Sequence, residues 1–223
     1  MDNEIYKNER EKLRKAILCQ ISYEEVLNMS NIVIPYLDNE QAYDFTMLAT
    51  SKKAIELVNK HFSAQIMDFT LNSLVGIEKI ILLYKVVLDF DNHCFKENVA
   101  DADGFKELKE FLLIATEEHK NKRLSQQELF DQFIKEIAHV LGAYVGECLI
   151  NSVDEGYWDF NKLYHIRPPQ LSIMTLKRNN HNIEMKPNPV GKVYKSFFND
   201  EDNVFLGMHM LLASWDKLEE EHK

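Results

Sequence analysis

The chain has 223 residues, 45% of them hydrophobic and 28% charged, which supplies enough apolar surface for a packed core and sets global disorder aside. Its formal charge is −10, with 17 basic and 24 acidic residues up to position 140 and 9 and 12 after it. Phosphate neutralisation needs clustered Lys and Arg, so a chain this acidic without a basic stripe is a poor nucleic-acid binder and suits a basic protein partner instead.

Three widely spaced cysteines, Cys19, Cys94 and Cys148, form no CxxC pair, so neither a zinc site nor a disulfide framework is indicated. The polar, acidic opening is the opposite of a signal peptide. The longest apolar run, from Ile80 to Leu88, is interrupted by Lys85 and falls short of the ~20 residues of a membrane span. The composition reads as a cytoplasmic protein without cofactor.

The first 160 residues hold a single proline, Pro35, and read as helices. Residues 3–21 carry a thin apolar stripe of Ile5, Leu13, Ile17 and Ile21, which predicts a surface helix. Ser22 with Glu25 is a capping box that opens a second helix, ending near Pro35. Asp38 with Gln41 opens a third, continuing to about His61 with a break expected near Thr50 and Ser51. Residues 64–90 read as a strongly apolar helix or pair of helices with a kink expected at Gly76.

The stretch Asp89–Gly104 is polar and acidic and reads as a loop, after which Asp103 caps a helix running to about His119. Ser125 with Glu128 is a further capping box. After it, apolar residues keep a 3.6-residue period over about 25 residues of helix 126–152, or ~37 Å.

The character then changes. Gly156–Phe160 reads as a short strand bearing Trp158, Leu171–Arg178 as a buried strand, and Asn182–Lys186 as its hairpin partner across an Asn-Asn-His turn. Asn188 and Pro189 start a helix with Val190, Val193, Tyr194, Phe197 and Phe198 on its apolar face. A last helix runs from Asp202 with Val204, Met208, Leu211, Trp215 and Leu218. The fold class that follows is α+β and predominantly helical. It comprises a helical region 1–124 and a helix–strand–hairpin–helix–helix module 125–223, with a three-stranded antiparallel sheet against helix 126–152 and one shared core.

Several residues carry candidate chemistry. Asp89, Asp91, His93 and Cys94 lie within six positions, as a metal or hydrolytic cluster would, and equally as a polar helix end. Asp101 and Asp103 with Glu110 mimic part of a calcium loop, although the helix-cap reading of Asp103 accounts for them as well. The acidic stretch 85–118 includes Asp89, Asp91, Asp101, Asp103, Glu107 and Glu110, and is either a solvated surface or a docking face for a basic partner. Cys148 falls in the apolar stripe of the long helix, as a buried, unreactive thiol does. Glu147 stands beside Gly142 and Gly146. It reads as a functional carboxylate or as an acceptor for a strand backbone or the Trp158 indole N–H. Two glycines on one helix face each cost roughly 1 kcal/mol against alanine, which points to close packing.

Residues 141–158 also carry a resemblance. Leu141, Gly142, Tyr144, Gly146, Glu147, Gly156 and Trp158 resemble the Leu-Gly-x-Tyr-x-Gly-Glu helix and following Gly-x-Trp strand of a bacterial family of uncharacterised domains. The likeness covers about residues 130–200. Some members of that family resemble immunity proteins of bacterial toxin systems. The resemblance implies a non-enzymatic protein-binding function, with a basic toxin as partner. A small hydrolase using Glu147 or the Asp89–His93 cluster, and a structural or regulatory homo-oligomer, are the alternatives.

Overall fold

The structure is a computed structural model and describes residues 1–19, 21–96, 125–160, 173–177, 184–199 and 202–221. Seven α-helices run through these residues: α1 (Asn3–Leu18), α2 (Tyr23–Val33), α3 (Asn39–His61), α4 (Leu74–Val87), α5 (Gln126–Asn151), α6 (Pro189–Phe198) and α7 (Val204–Glu221). With two small strand pairs they make an α+β fold dominated by helices, as its sequence predicts.

Local chemistry sets most helix starts. Ser22 and Glu25 exchange hydrogen bonds across the first turn of α2, and Ser125 and Glu128 do the same for α5. The Asp38 carboxylate accepts the Gln41 N–H of α3 at 2.9 Å, and the Asn188 side chain accepts the Gly191 N–H of α6 at 2.7 Å, with Pro189 at the first helical position. α7 is capped from outside as well as inside. Asn203 accepts the Leu206 N–H, while the Glu78 carboxylate of α4 takes the N–H groups of Val204 and Phe205. A carboxylate there also faces the positive end of the helix dipole.

Helix α5 is the centre of the molecule. From Leu141 to Leu149 it is buried on every face, the state of a helix enclosed by neighbours rather than lying on a surface. It packs most extensively on α6 and α3 and also against the strand that follows it. One hydrophobic cluster takes in residues from both halves of the chain, among them Leu13, Ile17, Phe45, Leu48, Ile77, Tyr84, Phe133, Tyr144, Trp158, Val193 and Trp215.

The strands differ from expectation. β1 (Leu88–Asp89) and β2 (Cys94–Phe95) form a two-residue hairpin inside what reads as a loop. β3 (Glu155–Trp158) pairs antiparallel with β4 (Met174–Lys177), and among the described residues no third strand joins that sheet. Its expected place is taken by residues 184–187, which meet β4 at one bridge, Leu176 with Met185. Pro187 stops the pairing on one side. Leu176 and Met185 exchange both backbone hydrogen bonds, and two residues on the Met174 N–H donates to the Pro187 carbonyl at 3.1 Å. Proline has no N–H to return, so the ladder stops. The proposed turn at 179–181 and the helix from Asp103 lie outside the described residues.

Two helical expectations also change. α3 is unbroken through Thr50 and Ser51, whose hydroxyls donate back to the carbonyls of Thr46 and Leu48 and so satisfy themselves within the helix. α4 begins only at Leu74 and continues unbroken through Gly76, whose missing Cβ leaves room for Met67 and Gln65. Residues 62–73 are a turn with one short 3₁₀ segment, Leu71–Ser73. In that turn Asp68 accepts the Thr70 N–H, and Phe69 has φ of +61°, a left-handed conformation uncommon for an aromatic residue. The conformation is held from outside. The Phe69 N–H donates to the Tyr144 hydroxyl at 3.1 Å, its carbonyl accepts from Asn151 at 2.9 Å, and its ring stacks on Tyr144 at 5.0 Å. α1 is a surface helix as expected, with Leu13 and Ile17 of its stripe buried, Tyr6 joining them and Ile5 exposed.

Candidate functional site

Two buried carboxylates stand out among the described residues, Asp44 of α3 and Glu147 of α5. Between them lies Arg10 of α1. Its Nε donates to Asp44 Oδ2 at 2.6 Å, and its Nη2 donates to Glu147 Oε1 and Oε2 at 2.9 and 3.0 Å. The Tyr6 hydroxyl donates to Asp44 Oδ2. Trp158 then ties both acids to β3. Its backbone N–H donates to Asp44 Oδ1 at 2.9 Å, and its indole N–H donates to Glu147 Oε1 at 3.0 Å.

The packing around this network explains the two glycines. A Cβ on Gly146 would lie 2.0 Å from Trp158 Cζ2, so the indole ring rests on bare helix backbone. A Cβ on Gly142 would lie 2.5 Å from the Val190 Cα, which lets the N-terminus of α6 approach α5 backbone to backbone. Tyr144, one turn away, donates or accepts with Ser73 at 2.6 Å under the Phe69 turn. Gly146, Glu147 and Trp158 are therefore in direct contact, whereas Gly142 faces Val190 of α6 and Tyr144 faces the Phe69 turn.

The electrostatics follow from burial. Burial pushes the Glu147 carboxyl up, Arg10 pulls it down, and Asp44 adds to the rise. Burial also raises the Tyr6 phenol, and the neighbouring Asp44 raises it further. Burial opposes the Arg10 charge, but Asp44 and Glu147 outweigh it and hold the guanidinium firmly protonated. The Cys148 thiol, fully buried beside Ser73, is driven well above the ordinary thiol range by burial, which leaves it without nucleophilic thiolate. Both oxygens of Glu147 are engaged and its side chain is 1% exposed, so neither is presented to a substrate.

The Asp89–His93 cluster is the turn of the β1–β2 hairpin. Asp89 accepts the N–H groups of Asp91 and Asn92 and the Asn92 side-chain amide, and those bonds hold its carboxyl below the usual range. No group of three or more His, Cys, Asp or Glu able to hold a metal occurs among the described residues. Asp91 is exposed; Asp101, Asp103, Glu107 and Glu110 lie outside the described residues.

An open cleft of about 420 Å³ runs past the network, between the starts of α1 and α3 and strand β3. Tyr6, Arg10, Asp44 and Trp158 form its floor, and Asn3, Lys7, Asp38, Glu40, Gln41 and Glu155 its sides. A second concavity of about 500 Å³ lies over buried Lys52, whose ammonium donates to the carbonyls of Ile17 and Cys19 and caps the end of α1.

Tyr6, Arg10 and Asp44 escape a motif search because no short spacing joins them. A signal does exist. Arg10 falls in register with Tyr6, Leu13 and Ile17 on one helical stripe, and Asp44 sits between Tyr43 and Phe45; a charge in a buried stripe needs a partner. The fold and network together define a helical α+β scaffold built around a buried ionic knot. No family model matches the chain, and no curated protein or solved structure does so either. No helix among the described residues is long and apolar enough to cross a membrane.

Proposed function

We propose that this chain is a non-enzymatic protein-binding protein of the bacterial cytoplasm, whose partner is a basic protein and, following the resemblance of residues 141–158, a toxin that it neutralises. One observation carries the reading. The chain has a net charge of −10, yet only two carboxylates among the described residues are buried, and Arg10 faces both. The uncompensated negative charge therefore sits on the surface, where it attracts basic partners. Free thiols at Cys19, Cys94 and Cys148 favour a reducing compartment. The hydrolase alternative has less support, because Glu147 is spent on Arg10 and Trp158 and Asp89 on its own turn. No observation favours the homo-oligomer.

Affinity capture from the native host, followed by association kinetics at two salt concentrations, tests the proposal. Reversal of Asp91, Glu107 and Glu110 to Lys is expected to slow association several-fold and flatten its salt dependence, since steering acts on the on-rate and is screened by salt. A partner whose association ignores both salt and the reversal overturns the electrostatic reading, and recovery of no protein partner overturns the function.

A further inference from the structure

The floor of the cleft beside β3 includes a strand edge. The Asp159 backbone N–H donates to the Ile173 carbonyl at 3.0 Å, which makes that pair hydrogen-bonded in the β3–β4 ladder. Backbone groups alternate along an antiparallel strand, so Tyr157 and Glu155 also face β4, whereas Gly156 and Trp158 face the other way. The Trp158 N–H confirms the parity by donating outward to Asp44. The Gly156 N–H points along the same outer edge, and no described residue accepts it. In the same cleft the Gln41 amide oxygen is enclosed, and no described residue donates to it.

From these observations we infer that the outer edge of β3 receives an extended, Lys- or Arg-bearing segment of the protein partner by strand addition. The inference rests on the protein-binding reading above and gives it a location. Strand addition supplies main-chain hydrogen bonds from an exposed edge, and side chains flanking it set specificity. Here Gly156 offers an N–H and a carbonyl to one residue of the incoming strand. Asp44 has already taken the Trp158 N–H, so the added strand leaves toward the Glu155 end. The sides of the cleft are acidic: Asp38, Glu40 and Glu155 are exposed against one exposed cation, Lys7. A basic segment complements that rim. A second copy of this chain would bring the same acidic rim to the contact, and like charges there oppose it.

The test uses the full chain, labelled for amide NMR, and three capped probe peptides: Lys-Val-Lys-Val-Lys, Glu-Val-Glu-Val-Glu, and the lysine peptide with alternate backbone nitrogens methylated. The lysine peptide is expected to shift the Gly156 amide saturably and slow its hydrogen exchange. It should bind at least tenfold more tightly than the glutamate peptide, and methylation should abolish the Gly156 shift. Glu40→Lys with Glu155→Lys, both exposed, should weaken the lysine peptide at least tenfold with the fold retained.

An unmoved Gly156 amide overturns the inference, as does a methylated peptide that perturbs it equally. A Gly156 shift that grows with protein concentration alone, with dimer mass by light scattering, assigns the edge to a second copy and overturns it too. A captured partner whose association ignores the Glu40 and Glu155 reversal refutes the docking site and leaves the protein-binding function standing. Failure to capture any partner refutes that function, and the peptide titration still judges the cleft.

Discussion

The indole ring of Trp158 occupies the space that a side chain at position 146 would need, with Cζ2 only 2.0 Å from the missing Cβ of Gly146. The contact fixes where β3 lies on α5, and with it the reach of the Trp158 N–H groups to Asp44 and Glu147. Gly146→Ala should therefore destabilise the protein by about 1–3 kcal/mol or more through overpacking, despite the better helix propensity of alanine. Gly207→Ala is the control. Its Cβ meets the flexible end of Lys192, and the variant should be neutral or more stable by up to about 1 kcal/mol. Urea denaturation of the pair checks this, and a Gly146→Ala protein as stable as wild type would remove the glycine from the packing argument.

Arg10 is the cation that both buried carboxylates share. Arg10→Leu leaves two desolvated acids facing each other and should cost about 3–5 kcal/mol, the usual penalty for breaking a buried ion pair from one side. Adding Glu147→Gln should recover part of that loss, because one uncompensated charge is removed with it. Chemical denaturation of the two single variants and the double variant measures the coupling; additive losses would mean that the two side chains act independently.

Tyr144→Phe isolates the hydroxyl that accepts the Phe69 N–H. The buried N–H then has no partner, at a cost of about 1–3 kcal/mol. The left-handed turn at Phe69 should loosen first, so its amide should exchange faster than those of α5 in the same variant. Unchanged exchange at Phe69 would show that the stacked ring alone holds the turn.

Burial lowers the His139 imidazole below its ordinary value of 6.5, and nearby Lys53 lowers it further. The folded state thus disfavours the imidazolium. Its contribution to stability is complete above the unfolded value and is lost as pH falls from there through the lowered folded value. Melting temperatures from pH 7.5 down to 5 should decline, and His139→Gln should decline less. Equal slopes for the two proteins would place the acid sensitivity elsewhere.

The elements most readable in the sequence are those whose cause is local. Ser22 with Glu25, Ser125 with Glu128 and Asn188 with Pro189 start their helices where the pattern puts them, because a cap is completed within four residues. The long period of α5 likewise survives, since a continuous apolar pattern specifies its own geometry. The elements that changed depend on distant partners. Phe69 takes a left-handed turn because Tyr144 and Asn151 hold it across 75 and 82 positions. Beyond the Leu176–Met185 bridge the pairing stops at Pro187 because proline falls at a hydrogen-bonded register position, and register exists only once β4 is placed.

Glu147, Gly146 and Trp158 could be singled out from one stretch of sequence, but the cation they assemble around could not. Arg10 lies 34 positions from Asp44 and 137 from Glu147. Helix period alone determines that Arg10 shares a face with Tyr6, Leu13 and Ile17. Only the packing of α1, α3 and α5 decides which acids meet it, because a buried charge is settled by whichever opposite charge the fold brings within hydrogen-bond reach.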